Sequence, residues 1–81
     1  MKEITISLNT IDKVKAFVAD VANVDCDLDI MSGENHKYII DAKSIMGIFS
    51  LDLSKNLVFV IHSDDAELIE KIENIIKPYL P

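Results

Sequence analysis

Hydrophobic spacing in this chain switches between a period of two and a period near three and a half, and the order of those periods most limits its fold. Glu3-Ile4-Thr5-Ile6-Ser7-Leu8 puts Ile4, Ile6 and Leu8 on one side, the pattern of a half-buried strand. From Ile11 the spacing lengthens. Ile11, Val14, Val18 and Val21 fall three or four apart, with Phe17 and Ala22 widening the stripe. That predicts an amphipathic helix to about Asn23. Asn9 or Thr10 offers a capping oxygen, and Asp12 lies in the first turn, where a carboxylate complements the helix dipole. Alternation returns at Cys26-Asp27-Leu28-Asp29-Ile30, with Cys26, Leu28 and Ile30 inward and Asp25, Asp27 and Asp29 outward. Ser32-Gly33-Glu34-Asn35 has turn chemistry, and Tyr38-Ile39-Ile40 reads as a third strand, a hairpin partner of the second.

Ser44 heads a short helical stretch from Ile45 to about Leu51. Ile48 and Leu51 suffice for its core stripe, which leaves Ile45, Met46 and Phe49 partly spare. Ser54-Lys55-Asn56 turns the chain into Leu57-Val58-Phe59-Val60-Ile61, a continuous apolar run suited to a central strand. Asp64-Asp65-Ala66-Glu67 has the spacing of a capping box, with Asp in place of Ser or Thr. Leu68, Ile69, Ile72, Ile75, Ile76 and Tyr79 follow at helical spacing, and Pro78 and Pro81 end the helix. The order β-α-β-β-α-β-α predicts a two-layer α+β sandwich, with helices on one face of a mostly antiparallel four-stranded sheet.

Composition narrows the partners. The 81 residues make one domain, 1–81, and the 49% apolar and 27% charged fractions are those of a globular chain. Fourteen carboxylates face eight lysines and no arginine, for a net charge of −6. Nucleic acid binding needs a basic face and favours arginine forks, so DNA and RNA are not expected partners, and an anionic membrane surface is disfavoured with them. The balance suits solubility and a basic protein partner. A single cysteine excludes an intramolecular disulfide and a cysteine zinc site, and fits a reducing cytoplasm. No apolar run reaches the roughly 18 residues of a membrane span, and the alternating N-terminus does not have the form of a signal peptide.

The remaining chemistry-bearing residues have plain readings. His36 sits in a turn. His62 ends the fourth strand beside Ser63, Asp64 and Asp65, where a solvated strand end competes with an acid–base pair or a weak metal corner. Asp25, Asp27 and Asp29 lack the glycine and distal glutamate of a calcium loop and read as a solvated face. Cys26 reads as a small core hydrophobe. No nucleophile–base pair, phosphate loop or metal set is present, so no independent enzyme and no cofactor are expected.

Asp41-Ala42-Lys43-Ser44-Ile45-Met46-Gly47-Ile48-Phe49-Ser50-Leu51 closely resembles the second signature of the histidine-containing phosphocarrier protein family (HPr) of the sugar phosphotransferase system, A-K-S-I-M-G-[IL]-[ML]-[ST]-L. The order of elements resembles the family along the whole chain. The resemblance implies an open-faced β-sandwich with three helices on one side of a four-stranded antiparallel sheet. It implies a docking surface at Lys43, Ile45, Met46 and Phe49 for phosphotransferase-system proteins, a serine kinase or a transcriptional regulator. It also implies phosphorylation at Ser44, which the kinase of the Firmicute branch carries out at the matching serine. The bland alternatives are a helix cap at Ser44 and ordinary core at the apolar positions.

The first signature of the family, G-L-H-A-R-P-A, is where this chain departs. That histidine accepts a phosphoryl group from enzyme I, and the arginine steadies it. Here the stretch is the shorter Leu8-Asn9-Thr10-Ile11-Asp12-Lys13-Val14-Lys15-Ala16, and counting back from Phe17 puts Asn9 or Thr10 where the histidine stands. Relay at neutral pH needs a nucleophilic imidazole. The expectation is an HPr-like binding or regulatory module without the relay. The alternatives are a working carrier through another residue such as His62, or a ferredoxin-like domain that binds a small ligand or itself.

Overall fold

The structure is a computed structural model that describes residues 1–33, 35 and 37–81. Glu34, in the expected 32–35 turn, and the turn histidine His36 lie outside the described residues. The elements are β1 (Lys2–Ile6), α1 (Ile11–Val21), β2 (Asp27–Ser32), β3 (Tyr38–Asp41), α2 (Ile45–Phe49), β4 (Leu57–His62) and α3 (Ala66–Ile75), then a 3₁₀ turn at Lys77–Tyr79. The strands form one antiparallel sheet in the order β1-β4-β2-β3. The continuous apolar run of β4 thus lies inside the sheet, between β1 and β2, as its pattern requires.

One face of this sheet builds the core. Ile6, Leu28, Ile30, Leu57, Phe59 and Ile61 are buried in one cluster with Val14, Phe17 and Val21 of α1, Ile48 of α2, and Ile72, Ile76 and Tyr79 at the C-terminal end. All three helices therefore lie on that face, which is the expected open-faced sandwich. Phe17 is its centre, edge-on to Phe59 at 5.5 Å and to Tyr79 at 5.3 Å between ring centroids.

Several ends differ from the sequence reading. The cap of α3 is Asp65, whose Oδ1 accepts from the backbone N–H groups of Glu67 and Leu68 at 3.0 and 3.3 Å. Asp64, expected to open a capping box, instead meets the N-terminal ammonium of Met1 at 2.6 Å, which holds its carboxyl below the usual range. The helix stops at Ile75 because Pro78 has no N–H to continue it. α1 ends at Val21, and α2 ends at Phe49. Leu51, expected in the core stripe of α2, lies past the helix end and is only half-buried. Cys26 is also half-buried, one residue before β2, and packs against the core.

Tyr79 gives the fold an alkaline limit. Its hydroxyl donates to Asp20 Oδ2 at 2.6 Å, and burial, then the Asp20 carboxylate, push the phenol up to about 12. An unfolded tyrosine releases its proton near pH 10. The contribution of this group to stability is therefore complete below pH 10 and lost as pH rises through 12. Urea midpoints should fall by the equivalent of about 2–3 kcal/mol across that window. Tyr79→Phe should remove that part of the fall, and identical alkaline profiles for the two proteins would contradict the assignment.

Candidate functional site

The turn from β3 into α2 is built by local backbone bonds. Ala42 is buried and its N–H donates to the Leu28 carbonyl at 2.9 Å. Asp41 accepts twice, from Lys43 N–H at its side chain (2.9 Å) and from Ser44 N–H at its carbonyl (3.0 Å). Ser44 then caps α2 with extended backbone, its Oγ accepting from Gly47 N–H at 3.2 Å. Glycine suits position 47 because a Cβ there would stand 3.2 Å from Ser44 Oγ and 3.4 Å from Ile40 Cδ1. A larger residue would crowd the cap or lift the helix from β3.

Residues three apart share a side of a helix, and α2 uses this to separate core from surface. Ile48 is fully buried, and Ile45 is half-buried against the core. Met46 and Phe49 face out together, 75% and 38% exposed. Ser44 is exposed at the head of the same helix. Met46 and Phe49 thus share one outward side of α2, with Ser44 exposed at its head and Ile45 half-buried.

Lys43 is held by a contact of its own. Its ammonium donates to the Val24 carbonyl at 2.6 Å, which ties the α2 turn to the loop after α1. The side chain lines a cleft of about 430 Å³ with Asp27, Asp29, Asp41 and His62. Cys26 lines the same cleft, and burial pushes its thiol up, with Lys43 pulling the other way.

At the head of α1, Thr10 is the cap: its Oγ1 accepts from Lys13 N–H at 3.1 Å. Asn9 is exposed beside it, and Asp12 stands in the first turn. His62 lies elsewhere, on β4, with Nε2 2.7 Å from Asp29 Oδ2. Asp29, on β2, is the carboxylate that sequence reasoning missed, having looked to Asp64 and Asp65. The β2–β4 register, which pairs His62 with Asp27 and so sets Asp29 two residues along on the same face of the sheet, is the signal that finds it. Both side chains are partly exposed, and such a pair contributes little to stability. No group of three or more histidine, cysteine or acidic side chains among the described residues is arranged to hold a metal. No described helix is long and apolar enough to cross a membrane.

No protein-family model matches the sequence, and a search of curated proteins finds no match. A comparison with solved structures does. The crystal structure of HPr-C-His from Thermoanaerobacter tengcongensis superposes with a TM-score of 0.69 at 27% identity, covering 95% of this chain and 92% of that one. Sheet order, helix placement and this superposition agree: the chain has the HPr fold, the open-faced β-sandwich of the phosphocarrier proteins.

Proposed function

We propose that this chain is a cytoplasmic, single-domain protein of the sugar phosphotransferase system that acts by binding rather than by relaying phosphate. Met46 and Phe49 dock a protein partner, and Ser44 regulates that docking. The supporting observation is the joint exposure of Met46 and Phe49 on a helix whose opposite side is core. Two large apolar side chains kept at the surface lower solubility without aiding the fold, and flexible methionine suits a docking surface.

Phosphorylation of Ser44 would add a charge of about −1.5 to −2 at a helix start. Unpaired N–H groups and the helix dipole favour an anion there, so the fold survives the change. Lys43 holds its ammonium on Val24 and leaves the new charge to a partner. The dianion borders Met46, so it attracts a basic partner and adds a desolvation cost for an apolar one.

The test uses the family's serine kinase and ATP on this protein and on Ser44→Ala. Labelling of the unaltered chain alone is the expected result; equal labelling of both, or of neither, leaves Ser44 a cap. A companion titration of enzyme I, the serine kinase and a phosphotransferase-system transcriptional regulator against the labelled chain reads the docking. Met46→Glu should weaken whichever interaction is seen at least tenfold, the scale of a central interface residue. Unchanged binding would remove the patch from the proposal.

A further inference from the structure

The three helices pack on one face of the sheet, and the second face lies away from them. Alternation and register set Thr5, Val58, Met31 and Ile39 there in one row across all four strands. Ile39 is 62% exposed. The adjacent row is Glu3, Val60, Asp29 and Asp41. An apolar strip, with Ile39 exposed and Met31 and Val58 partly so, therefore runs beside the carboxylates of Glu3, Asp29 and Asp41, between which Val60 is buried.

Two of those carboxylates oppose each other. The Ala42 N–H to Leu28 carbonyl bond makes 28 and 42 a hydrogen-bonded pair. The neighbouring pair, Asp29 and Asp41, is then of the other kind, in which side chains approach most closely. Like charges in that position oppose folding. His62 meets Asp29, and Lys43, its ammonium on the Val24 carbonyl, offsets only one of the three carboxylates Asp27, Asp29 and Asp41 that line the same cleft. The face thus presents apolar area and unbalanced negative charge together.

We propose that this face docks a basic amphipathic segment of another protein, with apolar side chains on Val58, Met31 and Ile39 and a lysine or arginine between Asp29 and Asp41. Charge decides the occupant. An anionic lipid surface and a second copy of a chain with net charge −6 are both repelled. A cationic segment supplies the counter-charge that this pair of opposed carboxylates lacks. This surface is on the opposite side of the sheet from Met46 and Phe49, so it stands or falls apart from the function proposed above.

The experiment titrates the full ¹⁵N-labelled chain with a synthetic helical peptide bearing leucines along one stripe and lysines beside it, and with its lysine-to-glutamate counterpart. Amide shifts are expected at Asp29, Met31, Ile39 and Val58 with the lysine peptide alone. Asp29→Asn/Asp41→Asn and Met31→Gln/Ile39→Gln should each weaken binding about tenfold, as for close charge pairs and buried anchors. Met46→Glu should bind as the unaltered chain does. Asp41→Asn keeps the acceptor for Lys43 N–H and should raise the urea midpoint. No binding, equal binding of the glutamate peptide, shifts confined to α2, self-association through this face, or a lowered midpoint for Asp41→Asn would each overturn the proposal.

Discussion

Incubation with enzyme I and phosphoenolpyruvate should leave this chain without acid-labile phosphate, while a histidine-bearing HPr in the same tube is labelled. The stretch Leu8–Ala16 has no histidine, and the chain has no arginine. The hydroxyl nearest to the expected position, Thr10 Oγ1, is occupied as a cap acceptor for Lys13 N–H. A threonine needs a base to become nucleophilic, and the nearby first-turn residue Asp12 would repel an incoming phosphoryl group instead. His62 has the right ring in the wrong field. Its Nε2 lies 2.7 Å from Asp29, and Asp27 is its direct partner across the β2–β4 pair. A phosphoryl dianion there would meet two carboxylates and no arginine. Mass spectrometry at neutral pH reads the outcome, and an acid-labile adduct on any residue would return the chain to the working carriers.

Much of the architecture was legible because its signals are local. Ile4 and Ile6 alternate, so β1 and its inward face followed from period two. The α1 stripe at Val14, Phe17 and Val21 followed from the longer period, and Thr10 was one of two caps named. Ile45, Met46 and Phe49 were readable as partly spare because the Ile45–Leu51 stretch holds five apolar residues, more than one side of a short helix buries; Met46 and Phe49 are exposed and Ile45 is half-buried.

What was not legible depends on partners distant in sequence. Asp64 and Asp65 are adjacent and equally able to cap. The cap falls to Asp65, and Asp64 meets the N-terminal ammonium, 63 residues away. Lys43 looked like a neighbour of Ser44, yet its long stem reaches back to Val24. The His62–Asp29 pair and the Asp29–Asp41 opposition both need the register of a strand inserted between two earlier ones, since β4 sits between β1 and β2. Hydrophobic period identifies strands and their faces; it carries no register between strands this far apart.

Phe17→Ala should be the most damaging single truncation in the core, at about 3–5 kcal/mol. The side chain is fully buried and is edge-on to two rings at once, Phe59 on β4 and Tyr79 in the C-terminal turn. Its removal takes both aromatic contacts and opens a cavity between three elements. For a chain of 81 residues, total stability of about 0.05–0.15 kcal/mol per residue makes that loss a large share of the whole. The site would loosen with it, because α2 is seated on the same cluster through Ile48. Phe49→Ala provides the contrast. That ring is 38% exposed, so its loss should cost under about 1 kcal/mol while weakening docking at α2. Urea unfolding of the two variants separates them: a midpoint shift for Phe49→Ala as large as that for Phe17→Ala would mean that Phe49 is core, and the docking surface would lose one of its two anchors.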